Sequence, residues 1–219
     1  MKTDQKLKTD VLAELAWEPR IDETQIGVIV ENGVVTLTGF VDDFYKKVAA
    51  ERAVKRVKGV KAMAGDIEVK YGDAFKETDK EVAKAIVRRF AWNTVIPYEK
   101  IAITVRDGWV ELSGEVEWAY QKDGAKRVVE KMMGVKGVMN NIDIEQKVVP
   151  SDIKNRIIEA FHRAADIDAQ NIEVDTEGST VKLSGTVHSI AEKEDAQRAV
   201  FRATGVTKIR NELKVAFNS

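Results

Sequence analysis

The chain has 219 residues, 44% hydrophobic and 32% charged, a composition that fits a globular protein and excludes a disordered or membrane-spanning one. Its 35 basic and 36 acidic side chains leave a formal net charge of −1, so no global field draws it toward nucleic acid. The absence of cysteine excludes disulfides, thiolate nucleophiles and cysteine metal sites.

No stretch approaches the roughly 20 apolar residues that a transmembrane helix needs. Met1 to Trp17 alternates charged with apolar residues and holds no signal-peptide core, which predicts a cytoplasmic protein, or a periplasmic one if the native chain begins further upstream.

Offsetting the chain against itself by 75 and by 146 residues aligns three units without a gap. The first predicted element is a helix carrying Val11, Leu12 and Leu15, repeated with Ile86, Val87 and Phe90 and again with Ile157, Ile158 and Phe161. Thr78-x-x-Glu81 reads as the capping box of the second copy. A strand follows, Ile26-Gly-Val28-Ile-Val30, falling on Ile101-Ala-Ile103-Thr-Val105 and on Ile172-Glu-Val174-Asp-Thr176. Its apolar side chains recur every second position, as in a strand buried on one face.

Two-residue turns come next. Asn32-Gly33 and Asp107-Gly108 suit a type I′ hairpin, and Gly178-Ser179 a type II′. The second strand carries Val35, Leu37, Gly39 and Val41, matched by Val110, Leu112, Gly114, Val116 and by Val181, Leu183, Gly185, Val187. Gly39, Gly114 and Gly185 on the apolar face predict close approach of a helix backbone to the sheet.

A longer helix then carries Ala50, Ala53, Val54 and Val57, repeated as Ala125, Val128, Val129, Met132 and as Ala196, Ala199, Val200, Ala203. Gly59, Gly134 and Gly205 read as its stop signals. A third strand closes each unit with Ile67 and Val69, Ile142 and Ile144, or Leu213 and Val215.

The predicted fold class is α+β: three tandem α-β-β-α-β units, each a three-stranded mixed sheet packed on one face by two helices. The units span 1–70, 76–146 and 150–217, and the short connections Tyr71 to Glu77 and Glu145 to Pro150 predict little independent tumbling.

The segments Gly33-Val-Val35-Thr-Leu37-Thr-Gly39, Gly108-Trp-Val110-Glu-Leu112-Ser-Gly114 and Thr180-Val181-Lys-Leu183-Ser-Gly185 resemble the BON domain (bacterial OsmY and nodulation) family. An Ala-rich helix, Gly-Val and a short strand after each segment complete the pattern. The resemblance extends from about Leu7 to Phe217. The family places Asn before the last strand; Asn140 and Asn211 match, whereas Gly65 stands in the first unit, and both residue types tolerate left-handed backbone. The resemblance implies a non-enzymatic, stress-associated module of envelope or phospholipid surfaces. Some relatives add a LysM domain and bind potassium, but no LysM segment is visible here.

Candidate chemistry is sparse. His162 and His188 lie in different elements and lack further metal ligands at regular spacing, so no metal site or cofactor is expected. Asp42-Asp43 suits a helix start and Asp166-Ile-Asp168 has no calcium-loop spacing. No Walker, dinucleotide or Gly-x-Ser-x-Gly pattern points to a small-molecule substrate. Gly134-Val-Lys-Gly137 imitates a GxxG nucleic-acid loop but joins a helix to a strand, which makes it a turn.

Basic positions coincide across the units: Lys47, Lys122 and Lys193; Arg52, Arg127 and Arg198; Arg56, Lys131 and Arg202. With Lys55 they predict a basic ridge on the long helix, densest in the first unit. Two readings stand: a solvated face with ion pairs, or attraction to anionic lipid headgroups. Trp17 and Trp92 share one position at the end of the first helix, where the third unit has Arg163, and Trp118 begins the second unit's long helix. They fit either packing between repeats or an exposed membrane or protein interface. The expected partner is therefore an anionic phospholipid surface or a protein, used as a scaffold or chaperone-like platform. The first unit's ridge also admits nucleic acid as the weakest alternative.

Overall fold

The computed structural model describes residues 3–72, 77–145, 151–164 and 167–216. The connections assigned from sequence lie partly outside them, at 73–76 and 146–150, as does Asp166. The first repeat contains α1 (Asp4–Ala16), β1 (Ile26–Glu31), β2 (Val34–Val41), α2 (Phe44–Arg56) and β3 (Ala62–Val69). The second contains α3 (Asp79–Ala91), β4 (Ile101–Arg106), β5 (Trp109–Val116), α4 (Ala119–Val129) and β6 (Gly137–Ile144). In the third, α5 (Ile153–Arg163), β7 (Ile172–Glu177), β8 (Thr180–Val187) and α6 (Ile190–Phe201) precede a last strand split into β9 (Lys208–Asn211) and β10 (Lys214–Val215).

The sheet orders are β1-β2-β3, β4-β5-β6 and β7-β8 with β9 and β10 both on β8. In the second repeat β4 runs antiparallel to β5, and β6 runs parallel to it, as a helical crossover requires. The third repeat keeps the same mixture. The expected α+β architecture is present in all three copies.

The residues group into two compact units, Met1–Thr38 with Ala50–Asp66 and Gln146–Ser219, and Gly39–Ala49 with Ile67–Glu145. In the second of these, Val82, Ile86 and Phe90 of α3 meet Val110, Leu112, Val116 and Ile142 of the sheet and Ala125 and Val129 of α4. Phe44 packs against this core. In the first unit the third repeat builds the equivalent core from Ile157, Phe161, Val181, Leu183, Ala196 and Val200.

The short helices bury every fourth residue: Leu7, Val11 and Leu15; Val82, Ile86 and Phe90; Ile153, Ile157 and Phe161. That ridge turns Leu12 and Val87, read from sequence as part of the apolar stripe, out toward solvent. The Thr78–Glu81 capping box forms as expected.

Asn32, Gly33, Asp107 and Gly108 all have positive φ, whereas in the third hairpin Gly178 alone does, the signatures of type I′ and II′ turns. A clamp unseen in the sequence holds the first two turns. The backbone N–H groups of Asn32 and Gly33 donate to the Asp4 carboxylate at 2.6 and 3.0 Å, and those of Asp107 and Gly108 donate to Asp79 at 2.7 and 2.9 Å. Each Asp opens a helix, so one carboxylate ties a helix start to the hairpin tip.

The strand glycines answer a tighter demand than expected. Gly39, Gly114 and Gly185 have φ of 115°, 125° and 115°. A Cβ on Gly114 would strike the carbonyl oxygen of Lys100, and one on Gly185 that of Asn171. These oxygens end the 3-10 turns Tyr98–Lys100 and Ala169–Asn171, so a single short turn, not a long helix, makes the close approach.

Asn140 and Asn211 do not use left-handed backbone, and neither does Gly65. Their amides matter instead. Asn140 donates to the Lys122 carbonyl at 2.9 Å and Asn211 to that of Lys193 at 3.2 Å, tying the long helix to the last strand.

Candidate docking surfaces

The basic positions of the long helices are largely engaged within the chain. Lys47 donates from Nζ to the carbonyl of Ile67 at 2.8 Å, and Lys193 does the same to Leu213 at 2.6 Å. These two coincident lysines brace a helix against the final strand. Lys55 pairs with Glu194 at 2.7 Å, joining α2 of the first repeat to α6 of the third. Arg56 donates to Glu14 at 2.8 Å and lies 3.6 Å from Glu18. Lys131 sits over the Tyr45 ring, 5.5 Å from its centroid. Arg52 and Arg127 are exposed. The ridge drawn from sequence is thus mostly a set of internal braces and ion pairs.

Glu18 is buried and gripped by Arg20 through two bonds of 2.5 and 2.6 Å. The hydrogen bond from Arg20 outweighs burial and, with the nearby Arg20 and Arg56 charges, holds the carboxyl below the usual carboxylate range. In the third repeat, buried Glu192 accepts from the backbone N–H groups of Asp168 and His188. His188 Nδ1 lies 3.1 Å from the same carboxylate, which accounts for one of the two histidines locally. Among the described residues no group of three or more His, Asp or Glu side chains is arranged to hold a metal ion.

The tryptophans are placed differently. Trp17 and Trp92 are the C-cap residues of α1 and α3 and are 83% and 87% exposed. Trp118 is the N-cap of α4 and half-buried. The two exposed indoles have unlike surroundings. Glu14 and Glu18 flank Trp17 in the chain but are paired with Arg56 and Arg20, and α1 has no basic residue in its last turn. The last turn of α3 carries Arg88 and Arg89, both exposed. Val87, Val95 and Tyr98 are exposed along the same stretch of chain. The sequence signal for this cluster is the Arg88-Arg89 pair before Trp92, less dense than the basic run of α2.

Trp109 is a further exposed aromatic, on a β-strand within the hairpin pattern. No helix among the described residues is long and apolar enough to cross a membrane.

The BON domain profile matches residues 3–71, 78–146 and 151–216. A curated relative, osmotically-inducible protein Y of Escherichia coli strain K12, is 28% identical over 145 residues, covering 64% of this chain and 71% of that protein. A solved structure of CdsD, a structural protein of the type III secretion system of Chlamydia trachomatis, aligns over 95% of this chain and 91% of that one at 13% identity. Its TM-score of 0.27 carries no structural argument. Three profile matches covering nearly all of the sequence, on three copies of the same mixed sheet, make this chain a member of the BON domain family.

Proposed function

We propose that the chain is a non-enzymatic, osmotic-stress-associated binding protein whose second repeat docks on anionic phospholipid. The stress association rests on the likeness to osmotically-inducible protein Y. The observation that carries the lipid reading is Trp92, 87% exposed at the end of a helix whose last turn presents Arg88 and Arg89. An indole suits the headgroup boundary, and each nearby arginine adds roughly 1 kcal/mol of attraction to an anionic surface. Val87, Val95 and Tyr98 supply further apolar area at the same end. The α2 ridge contributes less, because Lys47, Lys55 and Arg56 already have partners.

Co-sedimentation with phosphatidylglycerol-containing vesicles tests this. Binding should be strong at low salt, weaker at moderate salt, and lost in Trp92→Ala and in the Arg88→Glu/Arg89→Glu pair. Undiminished binding by those variants would sink the proposal. A protein-binding role remains the second reading. Trp17 favours it: the indole is 83% exposed, and the last turn of its helix carries no basic residue to draw it to an anionic surface.

A further inference from the structure

The three sheets differ most on the face their helices leave open. In the second repeat that face is read directly from the register. Arg106 lies opposite Trp109 and Trp109 opposite Gly137; Thr104, Glu111 and Met139 form the next row, then Ala102, Ser113 and Asn141, then Glu115 and Asp143. The benzenoid ring of Trp109 fills the space that a Cβ on Gly137 would need, so the indole lies down on the backbone of β6. It remains 52% exposed. A glycine has given this aromatic a flat seat with its other face to solvent. At the matching positions the first repeat has Val34 and Ala62 and the third Thr180 and Lys208, so neither builds such a seat.

The charges differ as well. On the third sheet they are satisfied locally: Lys182 pairs with Glu212 at 3.1 Å, Lys154 with Asp175 at 3.0 Å and Arg210 with Glu177 at 3.9 Å. On the second sheet three carboxylates face one arginine. Among the described residues Glu111 accepts from the Asn141 amide alone, at 2.9 Å, and Glu115 and Asp143 form no ion pair. An acidic face beside a flat-lying indole is complementary to cations and repels anionic headgroups.

Trp109, Glu111, Ser113 and Glu115 stand at every second residue of β5, roughly 7 Å apart. Alternate side chains of an extended peptide have the same spacing. We propose that this open face binds an extended cationic peptide segment. One lysine or arginine side chain stacks on Trp109, its neighbour at i+2 pairs with Glu111, and the one at i+6 pairs with Glu115 and Asp143. The face is the reverse of the one covered by α3 and α4, so this binding is independent of lipid docking at Trp92.

The test titrates the full chain into a dye-labelled octa-arginine peptide at low salt and reads fluorescence anisotropy. Saturable binding is expected. It should weaken at least tenfold in Trp109→Ala and in the Glu115→Lys/Asp143→Lys pair, while Trp92→Ala leaves it unchanged. Circular dichroism melting confirms that each variant folds, and the charge-reversed pair serves if Trp109→Ala does not. Equal affinity for either variant, or equal binding of an octa-glutamate peptide, overturns the proposal. So does loss of vesicle binding by Trp109→Ala, which would make this face part of the lipid site.

Discussion

Replacing Gly114 by Ala tests the tightest packing constraint in the repeat. The residue sits at φ 125°, where an L side chain is strained by about 1–3 kcal/mol. The added Cβ also runs into the carbonyl oxygen of Lys100, which belongs to backbone and cannot rotate away. Moving the Tyr98–Lys100 turn to make room costs about 1–3 kcal/mol more, the usual range for overpacking. The sum, roughly 2–6 kcal/mol, is a large share of the 5–15 kcal/mol that typically stabilises a folded protein. Gly124 is the matched control. It lies inside α4 without positive φ, and its Cβ would rest in ordinary contact, 4.0 Å from Ile96. There alanine should stabilise by about 0.5–1 kcal/mol through helix propensity. Urea unfolding followed by circular dichroism, with hydrogen exchange to localise the change to the second repeat, measures both. The reasoning fails if Gly114→Ala stays within 0.5 kcal/mol of the parent, or if both substitutions shift stability in the same direction.

Other perturbations follow from single contacts. Asp79→Ala removes the acceptor of two turn N–H groups; it should cost about 1–2 kcal/mol and speed hydrogen exchange at Asp107 and Gly108. Tyr71 donates its hydroxyl to the carbonyl of Val135 at 2.5 Å, and burial pushes its pKa up to about 12. The neutral form is favoured in the fold, so that stability is intact below about pH 10 and lost as pH rises toward 12. An ultraviolet titration should show a late-ionising component that disappears in Tyr71→Phe. For Glu18 the sign reverses. Its carboxyl is depressed below 4.5, so the contribution is present above that pH and is lost as pH falls through the folded value. Glu18→Gln should flatten the acid limb of the stability profile; an unchanged limb would contradict the role given to Arg20.

The parts of the fold that were legible in the sequence are those encoded locally. Alternation placed the strands, Asn-Gly and Asp-Gly set the turn type, and Thr78-x-x-Glu81 set a helix start. The functional surface was harder to read because its charges are decided by distant partners. Lys55 meets Glu194, 139 residues away, and no spacing rule within α2 announces that pair. Lys47 has the spacing of a ridge cation, but its partner is a carbonyl on β3. The two terminal tryptophans share a sequence position, yet only Trp92 stands beside arginines on its own helix. Asn140 shows the converse case: its position is legible in the sequence, but the reason for it is its amide and not its backbone.

Depth of tryptophan insertion tests lipid docking most directly. A variant carrying Trp17→Phe, Trp109→Phe and Trp118→Phe leaves Trp92 as the sole indole. Mixed with phosphatidylglycerol vesicles containing brominated acyl chains, its emission should shift to the blue and be quenched. A matching variant that retains only Trp17 should change little. Quenching of Trp17 with Trp92 still emitting as in water would contradict docking through the end of α3.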